Sequence, residues 1–137
     1  MYTDDSHKHA GVVLCIDPDR GNLHAMERNL SHMGYIVFTE TSTRRGLQIA
    51  LQQQPDVILL DVQHSDLPQA DLQDIFNRHP HLGNAAMIAL ASDWEAEESS
   101  HCCAEIGCKV HLPKPVGRSS LLKAVQQLAI GRSQAGV

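Results

Sequence analysis

The chain has 137 residues, with 42% hydrophobic and 20% charged, which is the size and balance of one globular domain able to bury a core without disulfides or metal. Sixteen acidic against 11 basic residues, net −5 with neutral histidines, argue against nucleic-acid binding through a basic face. No apolar run reaches membrane-spanning length, and an aromatic content of 4% offers no stacking platform.

Residues 1–10 are polar and carry no signal-peptide core. They read as a disordered lead-in, 131–137 as a flexible tail, and 11–130 as the domain, expected in the cytoplasm. Gly11 to Ile16 is a short apolar run closed by Asp17, as in a strand buried on both faces. Leu23, Met26, Leu30 and Met33 recur at helical spacing, with Gly34 placed as a C-cap. Ile36 to Phe38 predicts a second strand. Leu47, Ala50 and Leu51 mark a second helix, closed by Pro55. Val57 to Leu60 is a third apolar run, ending at Asp61. Leu72, Ile75 and Phe76 mark a third helix, stopped by His79 and Pro80. Ala86 to Ala91 predicts a fourth strand, residues 94–106 a polar fourth helix stopped by Gly107, and Val110 to Leu112 a fifth strand before Pro113, Lys114 and Pro115. Leu121, Leu122, Val125 and Leu128 carry the fifth helix. Five strand–helix repetitions predict an α/β fold with a doubly wound parallel sheet.

In such sheets ligands bind beyond the carboxyl ends of the strands. Those ends carry Asp17, Asp61, Ser92 and Lys114. Each alone is an ordinary cap, turn or solvated residue. Converging on one rim, they can hold a divalent cation through oxygen ligands and present a carboxylate nucleophile to a phosphoryl group beside a neutralising ammonium. A dinucleotide site is excluded, because Asp17-Pro-Asp-Arg-Gly21 follows the first strand where a glycine-rich turn would have to stand.

Over roughly residues 10–130 the chain resembles the receiver domains of two-component response regulators, the CheY-like family. The resemblance rests on Val12 to Asp17 with its following helical stripe, on Pro55-Asp-Val-Ile-Leu-Leu-Asp61, and on Gly107 with Val110-His-Leu-Pro-Lys-Pro115. It implies strand order 2-1-3-4-5 with five helices, and a signalling role outside enzymology. It implies phosphorylation of Asp61 by a sensor histidine kinase or phosphotransfer protein, with Mg²⁺ held by Asp17, Asp61 and the Gln63 backbone carbonyl. Lys114 and Ser92 would contact the phosphoryl group; a loop longer by one residue places Ala91 at the hydroxyl position. His111 falls at the family's aromatic switch position. The face of the fourth helix, fifth strand and fifth helix would dock a downstream protein or a second copy of the chain. With no output domain after residue 130, the resemblance implies a stand-alone receiver.

Two segments depart from the family pattern. Pro18 occupies the second position of the family's acidic pair, which weakens the expected Mg²⁺ site, and Asp19 follows beyond that proline. His64, Ser65 and Gln69 replace the methionine, proline and glycine usual after the phosphoacceptor. These departures motivate an alternative, a pseudo-receiver acting as a phosphorylation-independent interaction module. A zinc- or redox-responsive site from Cys102, Cys103, Cys108 and His111 is a further candidate, although the spacing matches no common zinc module. Cys15 reads as a core residue, and the four cysteines form no CxxC pair.

Overall fold

The computed structural model describes residues 10–93 and 106–135. Strand β1 (Gly11–Ile16) leads through Asp17 to helix α1 (Arg20–His32). Asp19 starts that helix: its side chain accepts the Gly21 and Asn22 amides at 2.8 and 3.1 Å, satisfying two donors that have no intrahelical partner. Gly34 follows α1 with φ +92°, a backbone region open to glycine. Strand β2 (Tyr35–Glu40) then pairs in parallel with β1, Gly11 opposite Tyr35.

Helix α2 (Thr43–Gln53) is capped by the Ser42 hydroxyl and stops at Gln54, whose φ is +48°, just before Pro55. Strand β3 (Val57–Asp61) is buried along its whole length. Helix α3 (Gln69–Arg78), a short 3₁₀ helix (Pro80–Asn84), strand β4 (Ala86–Ala91), strand β5 (Val110–Pro113) and helix α4 (Arg118–Ala135) complete the described elements. The five strands form one parallel sheet in the order β2-β1-β3-β4-β5, the order the family resemblance implies. The expected fourth helix, 94–106, lies outside the described residues except for its last residue. Helix α4 continues to Ala135, beyond residue 130 where the sequence reading ends the domain. Among the described residues no helix is long and apolar enough to cross a membrane.

Strand side chains alternate between two cores, which is why β1 and β3 read as unbroken apolar runs. Val13, Cys15, Val57 and Leu59 face α1 and α4, meeting Leu23, Met26, Leu121 and Val125. Leu14, Ile16, Ile58 and Leu60 face α2 and α3, meeting Leu47, Ala50 and Leu72. Burial pushes the Cys15 thiol far above its usual range, helped by the charges of Glu27 and Asp17, so this cysteine behaves as an apolar residue.

Gly46 sets how closely α2 lies on the sheet. A Cβ there would stand 2.5 Å from Ile16 Cδ1 and 2.6 Å from Ile16 Cγ1. Gly46→Val is therefore expected to lower stability by about 1–3 kcal/mol through overpacking. Urea unfolding should show a lower midpoint at unchanged slope. An unchanged midpoint would mean that the α2–β1 contact yields without strain.

Candidate functional site

Parallel strands deliver their last residues to one edge, and here the register brings three of the predicted side chains together. Ile16 lies opposite Leu60, so the residues that follow, Asp17 and Asp61, stand side by side. Ala91 lies opposite Pro113, and the Lys114 amide donates to the Ala91 carbonyl at 3.0 Å, fixing the lysine just beyond β5. Lys114 Nζ reaches both carboxylates, at 2.7 Å from Asp61 Oδ2 and 2.9 Å from Asp17 Oδ2. Asp17 and Asp61 are 0% and 1% exposed and the lysine side chain 12%. One ammonium thus faces two buried carboxylates, leaving one negative charge in excess.

The loop after β3 completes the environment of Asp61. Its Oδ1 accepts the Gln63 and His64 amides at 2.7 and 2.8 Å. Its Oδ2 takes the Lys114 ammonium, with His64 Nδ1 at 3.3 Å. Burial opposes ionisation, but the Lys114 hydrogen bond and the two amides outweigh it and hold the Asp61 carboxyl below its ordinary value. Burial likewise opposes the charge on Lys114, and the hydrogen bonds to Asp61 and Asp17 outweigh it, raising the ammonium above its ordinary value. Asp17 Oδ1 accepts the Asp19 amide at 2.9 Å.

The same loop is tied to the start of α2. Asp66 accepts from the Ser42 hydroxyl at 2.9 Å and from the Thr43 amide, and Ser65 Oγ donates to Thr43 Oγ1 at 3.0 Å. Burial disfavours charge on Asp66, but these bonds outweigh it and hold the carboxyl below its ordinary value. Ser65 and Asp66 therefore anchor a loop whose sequence departs from the family pattern.

The other predicted residues are placed differently. Ala91 closes β4 and is fully buried, whereas Ser92 is exposed just beyond it. Both the amide and the hydroxyl of Ser92 donate to Gln63 Oε1, at 2.9 and 2.8 Å. His111 lies exposed on β5, opposite Ala89. Asp19 caps α1. Cys108 packs against the core on the α2–α3 face, while Cys102 and Cys103 lie outside the described residues. Two contacts escaped the sequence reading. In the sequence His64 is only a departure from the family pattern, and its position three residues after Asp61, within reach of a tight turn, is the signal that points to the contact. The Gln63 side chain gave no signal.

Among the described residues no group of three or more His, Cys, Asp or Glu is arranged to hold a metal. A hard divalent cation of the Mg²⁺ type needs fewer, since it binds through one or two carboxylates and keeps several waters. Asp17 and Asp61, with their excess negative charge, fit that requirement at its minimum.

The family described as the response regulator receiver domain matches residues 13–126. Response regulator MprA of Mycobacterium sp. (strain KMS) is 24% identical over 116 residues, covering 85% of this chain and 49% of that protein. The chain thus spans about half the length of that relative. Chemotaxis response regulator CheY4 of Vibrio cholerae superposes with a TM-score of 0.74 at 22% identity, over 85% of this chain and 97% of that one. A CheY-like receiver domain protein from Methanospirillum hungatei JF-1 superposes with a TM-score of 0.77 at 20% identity, over 90% and 97%.

Proposed function

Since the chain belongs to the response regulator receiver family of two-component systems, we propose that it relays a signal by accepting a phosphoryl group on Asp61. The observation that carries this reading is the buried Asp61 carboxylate with the Lys114 ammonium 2.7 Å away and Asp17 beside it. The nucleophile is Oδ2. Lys114 can swing from it to the phosphoryl oxygens, whereas Oδ1 is fixed by two backbone amides. Oδ2 forms a bond to phosphorus while the donor's bond to phosphorus breaks, and the donor's leaving atom takes the electron pair. Lys114 then faces the phosphoryl oxygens.

Receiver domains generally bind Mg²⁺ in their acidic pocket. Here Asp17, Asp61 and the Gln63 carbonyl are proposed to hold it, and the ion supplies positive charge to the phosphoryl oxygens. Its binding is proposed to be weak, because Pro18 supplies no carboxylate and that of Asp19 caps α1. For Ser92 to reach a phosphoryl group, its hydroxyl must leave Gln63 Oε1.

Receivers exchange phosphoryl groups with histidine kinases or phosphotransfer proteins and act on downstream effectors. The same classes of partner are proposed here, with the face of β5, His111 and α4 meeting the downstream protein. The competing reading is a phosphorylation-independent interaction module. It is favoured by the Gln63–Ser92 tether and by the engagement of Asp19 in capping.

The deciding test is intact mass after incubation with acetyl phosphate, with and without Mg²⁺. A gain of one phosphoryl group that depends on Mg²⁺ is expected. No gain with acetyl phosphate or with any of a panel of histidine kinases, in protein shown to be folded, would favour the interaction module.

A further inference from the structure

We propose that His64 is a catalytic residue that shortens the life of the phosphorylated state by donating a hydrogen bond to the leaving carboxylate oxygen of Asp61. The inference rests on Asp61 being the phosphoacceptor. His64 Nδ1 lies 3.3 Å from Asp61 Oδ2, and the two side chains are 55% and 1% exposed. An ionised carboxylate only accepts hydrogen bonds, so the ring nitrogen facing Oδ2 must be the donor. Both the Nδ1–H tautomer of the neutral ring and the imidazolium present that donor. The backbone holds it in place, because the His64 amide is itself bonded to Asp61 Oδ1 at 2.8 Å.

The chemistry at Oδ2 makes this donor matter. In the acyl phosphate, Oδ2 bridges the carboxyl carbon and phosphorus. During hydrolysis a water oxygen bonds to phosphorus, and the phosphorus–Oδ2 bond breaks with its electron pair staying on Oδ2. The water's protons end on inorganic phosphate and in solvent. Negative charge therefore grows on Oδ2, and a donor already aimed there stabilises the transition state more than the ground state. Lys114 shares Oδ2 in the unphosphorylated protein, but it is needed on the phosphoryl oxygens once the bond to phosphorus has formed. Among the described residues His64 is then left as the side-chain donor facing the bridging oxygen.

A well-buried oxyanion donor is worth about 10²–10³ in rate. The exposed and longer contact of His64 scales that down to about three- to tenfold. The test compares wild type, His64→Leu and His64→Asn. Each is phosphorylated with acetyl phosphate, freed of donor, and followed by intact mass. Leucine removes the donor, while the side-chain amide nitrogen of asparagine can occupy nearly the place of Nδ1. His64→Leu is expected to lengthen the phosphoprotein half-life three- to tenfold, and His64→Asn to restore most of the wild-type value. A Leu half-life within twofold of wild type, or an Asn variant as slow as Leu, would overturn the role of His64 while leaving Asp61 as phosphoacceptor intact. Wild-type protein that gains no phosphoryl group would overturn both.

Discussion

Asp61→Asn is expected to abolish phosphoryl uptake while leaving the protein folded. The amide oxygen of asparagine can still accept the Gln63 and His64 amides that now bond Oδ1 at 2.7 and 2.8 Å. What disappears is the anionic Oδ2, the Asp61 oxygen that no backbone amide holds. Uptake should fall to background, because an amide nitrogen with its lone pair delocalised is no nucleophile toward phosphorus. The fold should tolerate the change. Lys114 keeps its 2.9 Å contact with Asp17, and the pocket's excess negative charge is removed. Intact mass and urea unfolding on the same sample separate the two effects. A phosphoryl group still gained by a folded Asp61→Asn protein would move the acceptor elsewhere and end the assignment.

Much of this site was legible because it depends on topology. An apolar run ending in aspartate, repeated at Asp17 and Asp61, predicts two carboxylates on one edge once the strands are parallel. Pro113-Lys-Pro115 then adds the ammonium to the same edge. In the structure Lys114 contacts both aspartates. Contacts set by loop geometry were less legible. The sequence does not show what Asp19 does beyond Pro18; its φ and ψ of −88° and 112° place it at the N-cap. The Gln63–Ser92 tether joins two loops 29 residues apart, and no periodicity encodes such a meeting. Whether His64 reaches Asp61 depends on how tightly the chain turns after β3. That turn is set by amides bonding the aspartate itself and by Asp66 pulling the loop to α2.

The tether also bears on how the two readings of function differ physically. In a working switch, the hydroxyl beyond β4 has to leave Gln63 Oε1 at the moment a phosphoryl group offers a stronger, charged acceptor. Gln63→Ala removes the competing acceptor without touching Asp61 or Lys114. It frees two donors of Ser92 at an exposed position, so a large loss of stability is not expected. If the tether opposes switching, the variant should bind the phosphoryl mimic beryllofluoride more tightly than wild type by calorimetry. Equal affinities would mean that the Gln63–Ser92 tether does not oppose switching.

Lys114→Met tests the charge balance on which the site depends, and it is expected to cost about 3–5 kcal/mol of stability at neutral pH. Methionine preserves most of the apolar stem, so the loss reports the ammonium. Without it two carboxylates, 0% and 1% exposed, repel each other in a buried pocket. In the wild type, Asp61 is held below its ordinary value of 3.8 and Lys114 above its ordinary value of 10.5. Their mutual stabilisation is therefore complete between those two values. It is lost as pH falls through the depressed carboxyl and as pH rises through the elevated ammonium. In the variant the sign at the acid end reverses. A carboxyl buried beside another carboxylate takes up a proton more readily folded than unfolded, so the variant's stability should rise as pH is lowered from 7.5 to 5. Urea unfolding of both proteins at the two pH values should show the deficit narrowing at pH 5. A deficit below about 1 kcal/mol, equal at both pH values, would mean that water screens Asp17 and Asp61. The lysine would then be held at the site for phosphoryl contact alone and would not contribute to holding the fold together.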